Sequence, residues 1–171
     1  MEIYLVRHAK PLIEKGICYG KSDIEAEMVT VEKLLELKTQ LPTNAIVYCS
    51  NLKRSKQLAE QLQYNFTEDE RLQEINFGEW ELKKWDEIPE IEINPWMANF
   101  KQVAPPNGES FETLHLRTLS ILNTFQNNTL PYILFTHAGV IRSINCWLNN
   151  IELENAFNLK VEYLDVIKLH K

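Results

Sequence analysis

The chain has 171 residues, of which 44% are hydrophobic and 25% are charged, a composition typical of one soluble globular domain. Its formal net charge of −6 argues against a nucleic-acid-binding surface but does not exclude a local basic pocket for a small anion. No apolar run could span a membrane, no signal peptide is recognised, and the three scattered cysteines form no disulfide or zinc pattern, so we expect a cytoplasmic protein.

The first predicted element is a strand over residues 3–6 that ends in Arg7 and His8. Its β-branched and aromatic residues are typical of a strand buried on both faces of a parallel sheet. Ligands of such sheets lie beyond the carboxyl ends of the strands. A guanidinium binds phosphate or carboxylate, and an imidazole can be a base, a metal ligand or a nucleophile. Alone, such a pair is more often an ordinary surface pair.

Residues 18–23 are predicted to form a loop. Its Gly20-Lys21 pair is similar to part of a nucleotide-binding loop, but the earlier glycine of that motif is missing. The apolar spacing over 30–41 then predicts a helix, which Pro42 stops.

A second strand over 45–49 runs into Ser50, which we expect to cap a second helix. Arg54 would lie in the first turn of that helix, where a cation is unfavourable unless an anion lies nearby. Arg54 therefore indicates an anion site, with a solvated arginine as the alternative. Residues 64–66 are a candidate for a short third strand.

Residues 71–81 mix carboxylates with aromatic side chains. A carboxylate held against apolar surface has a raised pKa and can act as an acid near neutral pH, whereas a surface turn is the simpler interpretation. The candidates for the acid are Glu74, Glu79 and Glu81.

Residues 82–104 are predicted to be a helical insertion that forms a lid or a pocket wall, with Asn94 as a cap and Pro95 as the first helical residue. Trp85 and Trp96 could form an apolar wall for a ring of the substrate, but core packing explains them equally well.

A long helix capped by Ser110 follows, on which His115 is expected to be solvated. A strand over 132–136 then runs into His137, and a further helix and a last strand over 163–169 complete the chain. The pattern predicts an α/β fold, a three-layer α/β/α domain over residues 1–171 with a mostly parallel central sheet.

Three strand ends thus carry cationic or imidazole side chains, namely Arg7 with His8, Arg54, and His137. We expect them to meet around one anion.

Five segments also form a family pattern in chain order: Leu5-Val6-Arg7-His8-Ala9, Ser50–Ser55 with Ala59, Glu74–Glu81, Gly108-Glu109-Ser110 and Phe135–Arg142. Together they resemble the histidine phosphatase superfamily, whose fold is phosphoglycerate-mutase-like. The resemblance implies that His8 is a nucleophile that becomes phosphohistidine. It implies that Arg7, Arg54 and His137 bind the phosphoryl oxygens and that Glu74 protonates the leaving oxygen. Two arginines and a histidine would also supply the positive charge that phosphoryl transfer needs, so we expect no metal and no cofactor.

Two positions depart from the family pattern: Ala9 replaces a glycine, and Glu14 stands where many members have an asparagine that contacts phosphate. The loop over 18–23 resembles that of the α-ribazole phosphatases, which remove a 5′-phosphate in cobalamin biosynthesis. This resemblance implies that Tyr19 and Gly20 help to bind the substrate.

The expected partner is a small phosphate monoester, with no nucleic acid and no membrane, and the protein could be a monomer or a homodimer. A broad phosphatase for sugar phosphates, nucleotides or phosphohistidine proteins is the main alternative. A phosphoglycerate mutase is disfavoured because only 63 positions separate Glu74 from His137. An inactive binding relative is disfavoured because all five charged or imidazole residues of the motif are present.

Overall fold

The computed structural model describes residues 1–126 and 129–171 and contains a five-stranded sheet. The strands are β1 (Glu2–Arg7), β2 (Ile46–Cys49), β3 (Thr67–Glu68), β4 (Tyr132–Thr136) and β5 (Val166–His170). Their order is β3-β2-β4-β1-β5, and only β5 pairs antiparallel within this sheet. The predicted α/β fold with a mostly parallel sheet is confirmed.

In the described parts of the chain, five α-helices accompany the sheet: α1 (Val31–Gln40), α2 (Lys53–Gln61), α3 (Glu90–Ala98), α4 (Phe111–Leu122) and α5 (Ala138–Leu148). One apolar core joins α4 and α5 to one face of the sheet, and a second joins α1 and α2 to the other face. Successive side chains of β1 and β4 point alternately into the two cores, which explains why the residues between the ends of these strands are all apolar. Within the described residues, no helix has the length and apolar character needed to cross a membrane.

The register of the parallel strands brings the predicted site residues to one edge of the sheet. Arg7 pairs with Thr136 in β1 and β4, and the N–H of His8 donates to the carbonyl of Thr136 at 3.2 Å. The N–H of Ser50 donates to the carbonyl of Phe135 at 2.9 Å. The residues that follow β1, β2 and β4 therefore lie side by side at the carboxyl edge.

Several element boundaries differ from the sequence prediction. Helix α2 begins at Lys53 with Leu52 as its N-cap, so the expected capping role of Ser50 is wrong. The third strand is Thr67–Glu68 rather than 64–66, and the last is Val166–His170 rather than 163–169. Backbone pairing with β2 and β1 decides these bounds, and local propensity does not report it.

Helix α3 contains Pro95 in its interior, so the predicted helix start at Asn94 and Pro95 is wrong. Proline lacks the N–H that would bond to the preceding turn, which weakens the helix at that point. The helix begins instead after Pro89, whose fixed backbone angle suits a helix start. A small apolar cluster of Cys18, Trp80 and Ile88, with Phe77, Trp85, Ile93 and Trp96 packed on it, supports this segment.

Candidate active site

His8 directly follows β1 and is buried, with 2% of its surface exposed. Its Nδ1 lies 2.6 Å from the carbonyl oxygen of Ala9, and because a carbonyl can only accept, Nδ1 carries the proton. The lone pair is therefore on Nε2, where it accepts a hydrogen bond from Nε of Arg54 at 3.3 Å. Burial and the charge of Arg54 hold the pKa of His8 well below its usual range, so the ring is neutral at pH 7.

Arg54 lies in the first turn of α2 and its side chain is completely buried. Besides its contact with His8, it donates to the carbonyl oxygens of Ser22, at 2.7 Å, and Gly20. These partners are neutral, so they orient the guanidinium without cancelling its charge. Burial lowers the pKa of Arg54, and the nearby charge of Glu74 opposes that shift.

Arg7 and Arg142 bring two further cations to the same cavity. Arg7 donates through Nη1 to the carbonyl of Val161 at 2.6 Å, and its buried Nε has no partner. Arg142 donates through Nε to the carbonyl of Leu159 at 3.1 Å, and burial lowers its pKa. Each guanidinium is thus held by backbone oxygen.

None of these three arginines has a carboxylate within ion-pair distance in residues 1–126 and 129–171. Arginine forms such pairs elsewhere, between Arg71 and Asp69 and between Arg117 and Glu109, each at 2.6 Å. Arg54 is buried and the other two are half-buried, and cations removed from water without a counter-ion are costly. Their convergence on one cavity therefore indicates an anion-binding site.

His137 lies at the start of α5 and is completely buried. Its Nε2 lies 2.9 Å from Oγ of Ser50 and 3.3 Å from Oγ of Ser55, and its Nδ1 has no hydrogen-bond partner. The ring centroid is 5.0 Å from that of His8, although His137 is not among the residues that line the cavity. Burial, followed by the charge of Arg54, lowers the pKa of His137 well below its usual range.

The three candidate acids lie in different environments. Glu74 lines the cavity and accepts hydrogen bonds from the N–H groups of Gly139 and Ile75, both at 3.0 Å. Glu79 is exposed and accepts from the side chain of Asn107 at 2.6 Å. Glu81 lies outside the cavity lining and is held by backbone N–H groups of a neighbouring loop. Of the three, only Glu74 lines the cavity that the three arginines also line.

The cavity itself has a volume of about 290 Å³, and its lining contains two chemically different groups of side chains. The polar group is His8, Glu74 and the three arginines. The second group is an aromatic wall of Phe77, Trp85 and Trp96, which pack against one another. The lining also contains Phe100, Phe111, Tyr19, whose ring lies beside Arg54, and Phe157, whose ring lies beside Arg142. Trp85 and Trp96 stack at a centroid distance of 6.0 Å. Gly20, behind Arg54, and the exposed Glu14 lie outside this lining.

A profile of the histidine phosphatase superfamily (branch 1) matches residues 3–170. The chain belongs to this superfamily. A Hydrogenobacter thermophilus protein named "Putative phosphoserine phosphatase 2" is 30% identical over 180 residues, covering 98% of this chain and 88% of that protein.

Two solved structures show the same fold as this histidine phosphatase. A phosphoglycerate mutase from Thermus thermophilus is 29% identical with a TM-score of 0.72, covering 86% of this chain and 84% of that one. The mycobacterial glucosyl-3-phosphoglycerate phosphatase Rv2419c has a TM-score of 0.81 over 98% of this chain and 88% of that one. Its sequence is only 17% identical, so it shows the fold alone.

Three features of this histidine phosphatase site are missing from the sequence prediction. Ser50 and Ser55 contact His137, Arg142 lines the cavity, and Arg117 supports the segment that carries Glu74. The position of Arg142, one helical turn after Gly139, is the signal that could have found it. Ser50 reaches His137 because β2 pairs with β4, and no local sequence pattern predicts that pairing.

His115 is not solvated, so that prediction is wrong. It is half-buried and its Nδ1 lies 2.9 Å from Oγ of Ser143, because α5 packs against α4. Across the described parts of the chain, no three His, Cys, Asp or Glu side chains are grouped so that they could hold a metal ion. Activity without a metal stays a prediction.

Proposed function

We propose that this histidine phosphatase is a phosphomonoesterase that works through a phosphohistidine and that its substrate is α-ribazole 5′-phosphate or cobalamin 5′-phosphate. One observation carries the reaction type. His8 lines a cavity with Arg7, Arg54 and Arg142, which have no carboxylate partner within the described residues, and the lone pair of its Nε2 accepts a hydrogen bond from Arg54. A neutral nucleophile inside a cationic pocket suits attack on a phosphoryl group, since phosphoryl transfer depends mainly on positioning and on charge at the oxygens.

In the first step, Arg54 moves its Nε–H from Nε2 of His8 to a phosphoryl oxygen, which frees the lone pair of Nε2. That lone pair attacks phosphorus, and the bond between phosphorus and the ester oxygen breaks. Glu74 gives its proton to the leaving oxygen. The imidazolium of the phosphohistidine keeps its Nδ1 proton, which the carbonyl of Ala9 accepts. Arg7, Arg54 and His137 bind the phosphoryl oxygens. For this role His137 carries its proton on Nδ1, which has no other partner, and its Nε2 accepts from the serine hydroxyls.

In the second step, a water molecule gives a proton to Glu74 and its oxygen attacks phosphorus. The bond between phosphorus and Nε2 breaks, and its electron pair returns to His8. Inorganic phosphate leaves, and both His8 and Glu74 are back in their starting protonation states. The carboxyl of Glu74 lies at the cavity surface, where both the ester oxygen and water can reach it.

The aromatic wall of the cavity supports a substrate with a planar, apolar leaving group. Trp85, Trp96 and Phe77 offer ring faces and edges suited to a benzimidazole. A small polar leaving group such as serine or glycerate would leave this wall in contact with water. The loop over residues 18–23, which holds Tyr19 at the cavity, carries the resemblance to α-ribazole phosphatases.

The test is to compare kcat/KM for α-ribazole 5′-phosphate with values for phosphoserine, 3-phosphoglycerate, sugar phosphates and nucleotides, all in excess EDTA. We expect the highest value for α-ribazole 5′-phosphate and no activity in His8→Ala. A preference for phosphoserine or a sugar phosphate would refute the substrate, and turnover only with added metal would refute the mechanism. Conversion of 3-phosphoglycerate that depends on a bisphosphate primer would instead identify a mutase.

Trp96 offers a second test of the substrate. Trp96→Leu should raise the KM for α-ribazole 5′-phosphate and leave the KM for phosphoserine nearly unchanged, because only the former reaches the aromatic wall. An equal change for both substrates would mean that Trp96 supports the fold rather than the leaving group.

A further inference from the structure

Glu81 has a dense set of hydrogen bonds that the proposed reaction does not use. One carboxylate oxygen accepts from the N–H groups of Lys21, at 2.9 Å, and Phe77, at 3.0 Å. The other accepts from the N–H groups of Gly20, at 3.0 Å, and Ser22, at 3.1 Å, and from the Ser22 hydroxyl. Five donors occupy the lone pairs of this carboxylate, so it is committed to binding the backbone rather than to moving protons.

The loop that Glu81 binds also holds Arg54. The carbonyl oxygens of Gly20 and Ser22 accept hydrogen bonds from the two terminal nitrogens of Arg54, the second at 2.7 Å. Residues 20–22 therefore turn their N–H groups toward Glu81 and two of their carbonyl groups toward Arg54.

On the side away from Glu81, residues 20–22 pack closely against the backbone at Ile75, so this loop has little room to move. A Cβ atom at Gly20 would overlap the carbonyl oxygen of Ile75 and press on the ring of Phe77. The loop is thus held between the backbone at Ile75 and the carboxylate of Glu81. Without that carboxylate, three converging N–H groups would lack an acceptor, and the loop would turn to find other partners. Its carbonyl groups would then leave Arg54.

We propose that Glu81 is a positioning residue that aims Arg54 at the phosphoryl site through the backbone of residues 20–22. This inference rests on the proposed function, because it assumes that Arg54 binds the phosphoryl group. Glu81 contacts neither His8 nor Arg54 directly and does not line the cavity, so it acts through the backbone groups that it binds. Three of these N–H groups belong to residues 20–22, which hold Arg54.

The variant that tests this is Glu81→Gln, which keeps the size of the side chain but turns an NH2 group toward the N–H donors of the loop. We expect inorganic phosphate to bind more weakly and kcat/KM to fall by up to about 100-fold. The loss should be equal for p-nitrophenyl phosphate and for α-ribazole 5′-phosphate, because Arg54 contacts the phosphoryl group that both share. Loss confined to the ester with the poorer leaving group would overturn the proposal.

Glu79→Gln is the matched control, since Glu79 is exposed two residues away and its carboxylate accepts a hydrogen bond from Asn107 rather than from the loop. We expect phosphate affinity and kcat/KM to stay at the values of the original protein. Equal losses in both variants would mean that a general change in charge, and not loop position, is responsible.

The dependence on Arg54 is tested by a double variant. Adding Glu81→Gln to Arg54→Ala should cause no further loss of phosphate affinity, because the group being positioned is already gone. A fully additive loss would overturn the proposal. Should Glu81→Gln fail to fold, Glu81→Asp replaces it: the charge stays but the carboxylate retracts, and unchanged phosphate affinity would overturn the proposal.

These outcomes separate two failures. If the original protein hydrolyses monoesters and binds phosphate but Glu81→Gln does the same, only the role of Glu81 is refuted. If the original protein neither hydrolyses any monoester nor binds inorganic phosphate, the proposed function itself is refuted.

Discussion

The ring of His8 is held in one tautomer by a single backbone bond. Because the carbonyl of Ala9 fixes the proton on Nδ1, the lone pair of Nε2 points toward Arg54 and the cavity. The same bond can stabilise the positive ring that forms when Nε2 is phosphorylated. The position after the histidine, where Ala9 departs from the family pattern, thus contributes through its carbonyl group, which alanine and glycine share.

The pH dependence of the reaction follows from the environment of His8. Burial and Arg54 lower the pKa of His8, so the reactive neutral form persists as the pH falls below 6.5 and is lost only at the lowered value. We expect the acid limb of kcat/KM, corrected for the ionisation of the substrate, to lie below pH 6.5. In Arg54→Met this limb should move to higher pH, and a limb above pH 6.5 in the original protein would contradict the assignment.

The role of Glu74 is tested by changing the leaving group. Glu74→Gln keeps the shape of the side chain but removes the transferable proton, so alkyl phosphates should lose about 10²- to 10⁴-fold in kcat/KM. Nitrophenyl phosphate should lose little, because nitrophenolate leaves without a proton. Steady-state kinetics on both esters measure the difference. Equal losses on both would remove Glu74 from the acid role, and Glu79→Gln is the control that should change neither.

At the scale of elements, the segment that carries Glu74 depends on a side chain from helix α4. Arg117 donates to the carbonyl oxygens of Arg71 and Gln73, both at 2.8 Å, and of Glu74 at 3.1 Å. Its ion pair with Glu109 orients it, and Glu109 also accepts from the N–H of Asn76. Residues 73–76 have no helix or strand of their own, so this pair supplies the hydrogen bonds that a regular element would make.

Removal of Arg117 should therefore affect both stability and the acid. Arg117→Leu leaves three carbonyl groups and a half-buried carboxylate without their partner, so we expect a loss of about 2–3 kcal/mol in the free energy of unfolding. Urea denaturation measures this, and kcat/KM for alkyl phosphates should fall with it.

Arg71→Leu is the control for Arg117→Leu, because Arg71 also pairs with a carboxylate in this segment but donates to no carbonyl near Glu74. Its side chain is 34% exposed, and we expect a loss of about 1 kcal/mol or less with alkyl phosphate activity retained. Equal effects of the two variants would mean that Arg117 has no special link to Glu74.

The charge of the whole molecule is distributed unevenly. The chain carries a net charge of −6, yet the cavity at the carboxyl edge of the sheet holds three arginines without a carboxylate partner in the described ranges. The overall negative charge slows the approach of anions, so the local cluster must supply the affinity for phosphate. The same cluster makes the folded protein less stable than it would be with an anion bound.

Inorganic phosphate should therefore stabilise the fold. At 100 times the Kd, binding to the native state alone contributes about 2.7 kcal/mol, which corresponds to a rise in Tm of about 5–10 °C for a chain of this size. Differential scanning fluorimetry at constant ionic strength measures the rise. It should vanish in Arg54→Met, and an equal rise in that variant would mean that phosphate acts as a general salt.

The sequence alone predicts most of the secondary structure and the edge of the sheet where the site lies, because these features depend on residues that are close in the chain. Short runs of neighbouring residues predict the apolar strands, the helices between them, and the polar strand ends at Arg7, His8 and His137. They do so because backbone propensity and burial patterns extend over only a few residues. Parallel strands must share a carboxyl edge, so the convergence of these ends follows from sheet geometry. The family motifs lie on the same short segments and identify the superfamily.

Other features depend on contacts between residues far apart in sequence. Three such features depend on which elements pack together. Ser50 contacts His137 rather than capping α2, Glu74 rather than Glu81 lines the cavity, and Arg117 supports the segment that carries Glu74. Glu74 and Glu81 carry the same carboxylate, so the sequence cannot tell them apart by chemistry. Only the tertiary structure decides which donors surround each carboxylate, because hydrogen bonding and desolvation are set by neighbours in space.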